Sequence, residues 1–172
     1  KAINVKATNL DGNEIPAKGT YTIYTLDEND SIAASVLKGD FASGRQTALE
    51  QQFKKLASGK YRIILKANDS NGKEVEGQGD FVLYSVSDKR PPYKTNDWLI
   101  QKNTQIAPGK PVEVVVGVSD KDVYVLYELT KGYDLVEHRI VKLSDENRLF
   151  SLPYKKEYEE NTAMSFTLIR NG

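Results

Sequence analysis

The sequence predicts an all-β protein, two antiparallel β-sandwiches in tandem, and three observations carry that prediction. Residues 53–77, FKKLASGKYRIILKANDSNGKEVEG, read as a strand end, a corner, a long strand and a hairpin turn. In the other half, Val112, Val114, Val116 and Val118 repeat the two-residue period of a strand with one buried face. Between the two lies DKRPPYKTN, residues 88–96, which lacks apolar period and holds Pro91-Pro92. A chain of 172 residues exceeds the roughly 100 residues of one sandwich and suits two. The expected organisation is a first sandwich at 1–87, a semi-rigid linker at 88–96 and a second sandwich at 97–172.

Along the first unit, Ile3, Val5 and Ala7 alternate with polar residues up to the turn Asp11-Gly12-Asn13. A second strand runs over 20–26, with Tyr21 and Ile23 on one face, and ends in the solvated loop Asp27-Glu28-Asn29-Asp30. In 31–56, Leu49, Phe53 and Leu56 have helical spacing, yet the all-β context favours strands near 32–38 and 47–54. Leu56, Gly59 and Tyr61 then form a corner: Gly59 lets the backbone reverse, and Tyr61 buries its ring while its hydroxyl bonds the backbone just left. Tyr61, Ile63, Leu65 and Ala67 make the buried face of the next strand. Asn71-Gly72, with both residues at positive φ, turns it into the run 75–86.

The second unit opens at Trp98-Leu99-Ile100, and Ala107-Pro108-Gly109-Lys110-Pro111 feeds the valine strand. Ser119-Asp120-Lys121 returns it into 123–129, apolar on both faces and therefore central. After the turn Lys131-Gly132-Tyr133, strands follow at 135–143, 149–152 and 163–169. Arg170-Asn171-Gly172 is a hairpin cue with no strand behind it. The second sandwich is thus expected to lack its last strand, leaving 163–169 as a sheet edge.

Charge and composition exclude several function classes. Basic and acidic residues number 24 each, 11 and 11 in 1–87, 10 and 12 in 97–172, so neither unit has a field to attract nucleic acid. Without cysteine there are no disulfides, thiolate metal sites or thiol nucleophiles. No apolar run approaches the ~20 residues of a membrane span, so direct membrane insertion is not expected. Lys1 is not an initiator and no signal-like segment follows it, which suggests a piece of a longer chain.

The candidate sites each have a plainer explanation. His138, the one histidine, stands mid-strand between Glu137 and Arg139, and a single imidazole without cysteine makes no usual transition-metal site. A Ser-His-Asp triad would have to recruit that same His138, and no serine sits in a Gly-x-Ser-x-Gly elbow. Residues 67–72 superficially suggest a calcium loop, but Ala67 and Gln78 fall where carboxylates are required. Acidic tips at Asp27, Glu28, Asp30, Asp120 and Asp122 could hold calcium, though solvated turns explain them better. Exposed Tyr93, Tyr154 and Tyr158 could stack on sugars or meet a protein partner. Asn29-Asp30-Ser31 and Asn68-Asp69-Ser70 match the glycosylation sequon. We assign no catalytic, cofactor-binding or metal-binding residue and expect no cofactor.

Taken together, the motifs have a familiar order. Residues 3–8 with Asp11-Gly12, then Gly19-Thr20-Tyr21-Thr22-Ile23-Tyr24, then Leu56-Ala57-Ser58-Gly59-Lys60-Tyr61 with Asn71-Gly72 and Phe81-Val82-Leu83-Tyr84, resemble a macroglobulin domain of the bacterial alpha-2-macroglobulin family. Trp98, Pro108-Gly109-Lys110-Pro111-Val112, Asp122-Val123-Tyr124-Val125-Leu126-Tyr127 and 166–172 resemble the next such domain, as in large envelope proteins of Bacteroides-like bacteria. The resemblance implies seven-stranded, fibronectin type III-like or immunoglobulin-like sandwiches in a long extracytoplasmic protease-trapping protein, in the periplasm, cell envelope or secreted. In that family, cleavage of a bait segment collapses the domain array around a protease, and a Cys-Gly-x-Gln thioester often captures it. This chain has no cysteine and shows no bait segment, so its implied part is non-catalytic scaffold. Its partners would be neighbouring domains of the same longer chain and, through the whole protein, proteases. The rival expectation is a cell-surface adhesion or glycan-binding module pair; a hydrolase is a more distant third.

Overall fold

A computed structural model describes residues 2–69 and 71–170. The chain is an all-β protein of antiparallel sheets, and no helix among the described residues exceeds about one turn. It divides into two compact units, residues 1–84 and 85–172. The Asn171-Gly172 turn cue and Ser70 of the second sequon lie outside the described residues.

In the first unit, β1 (Ala2–Asn4) pairs with β4 (Gln46–Ala48). β2 (Lys18–Leu26), β3 (Ile32–Ala42), β5 (Gly59–Asn68) and β6 (Glu74–Leu83) form one sheet in the order β3-β2-β5-β6. Strand alternation sends Tyr21 and Ile23 of β2 and Tyr61 and Ile63 of β5 to the same face, with Ile23 opposite Ile63. That face is covered by Val5, Leu49, Phe53 and Leu56. Of the strand expected near 47–54 only the start is strand, the end of β4. After β4 the chain makes the single helical turn α1 (Glu50–Phe53), and Leu49, 1% exposed, leads it into the core with Phe53 and Leu56 behind. The helical spacing of those three residues was the truer signal, because the second layer over this sheet is a short ladder and a turn rather than a full sheet. Six strands make this unit among its described residues, one fewer than the resemblance implies.

Three loops of the first unit, 9–13, 27–31 and 69–73, are closed in the same way. The first residue's N–H bonds the fifth's carbonyl (Asn9 to Asn13, 2.9 Å; Asp27 to Ser31, 3.0 Å; Asp69 to Lys73, 2.9 Å), and the fourth's N–H bonds the first's carbonyl. The first side chain's Oδ1 accepts the N–H groups of the third and fifth residues, at 2.8–3.1 Å. Among the described residues of these loops, positive φ falls on the fourth position alone: Gly12 at 83°, Asp30 at 60°, Gly72 at 79°. The turn between β5 and β6 is therefore a five-residue loop organised by Asp69, not a two-residue turn with Asn71 also at positive φ.

The second unit is a sandwich of two three-stranded sheets. β7 (Trp98–Asn103), β8 (Val112–Val118) and β11 (Glu146–Leu152) are ordered β11-β8-β7; β9 (Val123–Lys131), β10 (Asp134–Leu143) and β12 (Thr162–Ile169) are ordered β10-β9-β12. One core joins Val114, Val116, Val118, Phe150 and Leu152 of the first sheet to Val123, Val125, Tyr127, Leu129 and Leu143 of the second. Apolar residues on both faces of the 123–129 run do mark a central strand, β9. β12 lies at the edge and pairs on one side only.

Residues 88–96, expected as a semi-rigid linker, are bonded to this second unit along their length. Asn147, opposite Gly117 in the β11–β8 ladder, donates from Nδ2 to the carbonyls of Asp88 (3.0 Å) and Arg90 (2.8 Å), and from its backbone N–H to Lys89 (2.7 Å). Further along, Thr95 and Ser119 exchange bonds, Asn96 Oδ1 accepts the N–H groups of Ser119 and Asp120, and the Tyr93 ring meets Trp98 edge-on at 5.7 Å. A segment without apolar period is held here by side chains that satisfy its backbone.

Candidate functional site

The corner at 56–61 forms as its residue types require. Tyr61, 3% exposed, stacks on Phe81 at 5.6 Å and donates its hydroxyl proton to the carbonyl of Ala57 at 2.7 Å. Beside it, Arg62 reaches across to Asp80 with two parallel bonds of 2.7 and 2.8 Å, and that pairing holds the Asp80 carboxyl below the usual carboxylate range. These contacts organise structure and present no reactive group.

The acidic tips proposed for calcium are already engaged. Asp27 Oδ1 closes its own loop, and Asp30 pairs with Lys60 at 2.6 Å. Asp120 accepts from Asn96 Nδ2 at 2.6 Å and Arg170 at 3.0 Å, and the Asn96 bond, helped by Arg170, lowers its pKa. Asp122 meets Lys142 at 2.8 Å, and its pKa falls for that reason. Among the described residues no group of three or more His, Asp or Glu side chains is disposed to hold a metal ion.

The cross-strand register places one candidate hydrolase grouping, His138 with Ser165. On the face of β10-β9-β12 turned away from the core, His138 lies opposite Glu128, and Glu128 lies opposite Ser165. A triad needs the imidazole between acid and nucleophile, whereas here the carboxylate is in the middle and Ser165 stands two strands, about 10 Å, from His138. His138 is an exposed strand residue of β10.

Of the three tyrosines proposed to stack on sugars, Tyr158 is 5% exposed and belongs to the second core. Tyr93 packs on Trp98, and Tyr154 donates to Glu159 at 2.7 Å. Large apolar side chains are exposed elsewhere. On the outer face of β10-β9-β12, Leu135, Ile140, Tyr124 and Ile169 project with Leu126 and Thr167 between them, and Lys142 lies over the Tyr124 ring. Tyr133 stands fully exposed in the turn after β9. This apolar face was not foreseen, although alternate residues 124, 126, 140 and 169 are apolar in the sequence itself. A shallow depression of about 210 Å³ in the first unit, lined by Lys6, Glu14, Ile15, Pro16, Ser43 and Gly44, has its polar groups bonded to one another: Lys6 to Glu14 at 2.9 Å and Ser43 Oγ to Ile15 at 3.2 Å.

No family model matches the chain, and a comparison with curated proteins likewise gives no match. No helix among the described residues is long and apolar enough to cross a membrane.

Proposed function

We propose that the chain is a non-catalytic structural pair of macroglobulin-like domains from a bacterial alpha-2-macroglobulin-like, protease-trapping protein of the cell envelope. The observation that carries this reading is the corner Leu56-Ala57-Ser58-Gly59-Lys60-Tyr61, closed by Tyr61 on Ala57, in the first of two successive β units with separate cores. The chemistry is compatible with a scaffold role: Ser165, Glu128 and His138 stand in an order that cannot relay a proton, and Asp27, Asp30, Asp120 and Asp122 are spent on loops and ion pairs. In such a protein these residues would carry a rearrangement started by cleavage elsewhere.

The test uses the parent protein and this chain side by side. The parent should block a protease against protein substrates while leaving it active on small peptides, and the 172-residue chain alone should do neither. A parent that never traps a protease, or a chain that alone binds a defined glycan on an array, would replace this reading with the adhesion one.

A further inference from the structure

Residues 88–96 lie on the second unit without belonging to its core. None of the nine is buried, none is in a strand, and none joins the valine and aromatic cluster between the sheets. The bonds that hold them gather at two places. At one, Asn147 on β11 takes the carbonyls of Asp88, Lys89 and Arg90, and Arg90 also pairs with Asp145 at 3.2 Å. At the other, the turn after β8 takes Tyr93, Thr95 and Asn96. Ser119 Oγ donates to the Tyr93 carbonyl at 3.3 Å and accepts the Thr95 N–H at 3.0 Å. The N–H groups of Ser119 and Asp120 reach Asn96 Oδ1 at 3.0 and 2.9 Å, and Asn96 Nδ2 donates to Asp120 Oδ2 at 2.6 Å. Pro91 and Pro92 span the gap, and neither has an N–H to satisfy.

The sheet is shaped to receive the first attachment. Gly117 stands mid-strand in β8, opposite Asn147, where a glycine ordinarily weakens a strand. A methyl group there would come 2.0 Å from Asn147 Oδ1 and 3.0 Å from Trp98 Cδ1. The glycine thus leaves room for the Asn147 amide to lie against β8 with Nδ2 turned to the segment. Docking is nevertheless imperfect, because Asn147 Oδ1 is buried and accepts no hydrogen bond from the described residues. Undocking would hand that oxygen, the freed carbonyls and the N–H groups of Ser119 and Asp120 to water together. Each bond exchanged for water is worth little net, whereas nine residues regain backbone freedom. Parting the sheets, in contrast, exposes Val116, Val125 and Leu129, at most 1% exposed in the fold.

We propose that residues 88–96 are a detachable strap, which leaves the second unit as one piece while the two sheets stay folded. With the strap docked, the connection between the units is residues 85–87. It is tightened by the Ser85 N–H on Asp88 Oδ2 at 2.7 Å and the Asp88 N–H on the Ser85 carbonyl at 3.1 Å. With the strap free, the connection is 85–97, longer by up to about 30 Å of extended chain. It therefore has two lengths, and the choice between them is made at Asn147, Ser119 and Asp120. A domain array that rearranges could draw on this reserve, which exists independently of the protease-trapping reading.

The experiment is residue-resolved amide exchange on the 172-residue chain, because the N–H groups of Asn147, Ser119 and Asp120 all bond strap atoms. After correction for intrinsic rates these three should share one opening constant, larger than that of Val116 and Val125 in the central strands β8 and β9. Mild urea should speed Val116 and Val125 and barely move the three, since undocking exposes little surface. Leu129→Ala, in the core, should speed Val116 about thirtyfold or more and leave the three unchanged; if that variant does not fold, the urea series on the unaltered chain decides the same point. Asn147→Ala should speed Ser119 and Asp120 together, about tenfold or more, although it touches none of their bonds. Pro91→Gly with Pro92→Gly removes no hydrogen bond, yet it should raise all three by one common factor of about ten, by loosening the free strap. Exchange of the three only with the core amides, following urea and Leu129→Ala, would overturn the proposal by making the segment part of the sandwich. Ser119 and Asp120 amides indifferent to Asn147→Ala would overturn it too, by making the two attachments independent.

Discussion

Replacing Tyr61 separates a hydrogen bond from the volume that carries it. Tyr61→Phe removes one bond, the hydroxyl to the Ala57 carbonyl at 2.7 Å, and leaves the ring against Phe81. Ala57 is exposed, so its carbonyl can turn to water, and the loss should be the net worth of one bond, about 1 kcal/mol. Tyr61→Ala also empties a core position 3% exposed and should cost about 3–5 kcal/mol, the range for aromatic truncations. In a unit of this size, about 1 kcal/mol corresponds to a Tm change of roughly 4–8 °C. The chain supplies its own control, because its one tryptophan, Trp98, belongs to the second unit. Urea unfolding followed by far-UV circular dichroism should show the first unit's midpoint falling in the two variants in that order. The transition followed by Trp98 fluorescence should keep its place. Equal shifts for Phe and Ala, or a Trp98 transition that moves with them, would refute both the corner energetics and the independence of the two units.

Other perturbations test other joints. Asn147→Ala strips the donors from the Asp88 and Arg90 carbonyls and should cost about 2 kcal/mol; trypsin cleavage after Lys89 and Lys94 should accelerate, and unchanged cleavage would show that the segment is held otherwise. Asp27→Ala removes the acceptor for two loop N–H groups and should lower the first unit's stability by about 1 kcal/mol; an unchanged midpoint would show that the loop does not depend on that acceptor. Gly19→Ala would set a methyl 2.0 Å from the Lys66 carbonyl oxygen, so β2 and β5 must part; amide exchange should speed up along that seam and leave β5–β6 protected. Asp120 is held below the usual carboxylate range, first by Asn96 and then by Arg170, so its contribution to stability is present above about pH 4 and is lost as pH falls through its lowered folded-state pKa. Asp120→Asn should therefore flatten the acid limb of the second unit's stability curve, and an unchanged limb would show that Asp120 is not a source of it.

What could be read from the residues alone follows a physical line. Period-two apolar alternation identified β2, β5, β8 and β9, and the combination Leu56, Gly59, Tyr61 identified the corner, because burial writes itself into spacing. The bonds that polar side chains make to backbone have no such period. Asn147 and Asn96, which hold residues 88–96, gave no signal, and a segment with two prolines therefore read as a spacer. The loop of Asp27 is solvated as expected, but its closure by Asp27 was not read, although Asp27 and Asp69 share an offset of three residues to the position at positive φ. At 47–54 the general expectation of strands overrode the helical spacing of Leu49, Phe53 and Leu56, and the spacing was right. How His138 stands to a serine depended on register: composition left one histidine available, and only the ladder puts Glu128 between it and Ser165.

The self-closing loops have a consequence for the order in which the first unit assembles. Loops 27–31 and 69–73 join strands that are neighbours in sequence, β2 to β3 and β5 to β6, and each holds its own ends together before any distant residue arrives. Their hairpins can form on the microsecond scale. The seam between β2 and β5, where Ile23 meets Ile63, instead brings together residues about 40 positions apart and bears the loop-closure entropy of everything between. Folding should therefore be limited by the meeting of two ready-made hairpins. Conservative truncations at Ile23 and Ile63 should slow folding, and changes inside either loop should mainly speed unfolding; the reverse pattern would mean that a loop, and not the seam, is the nucleus.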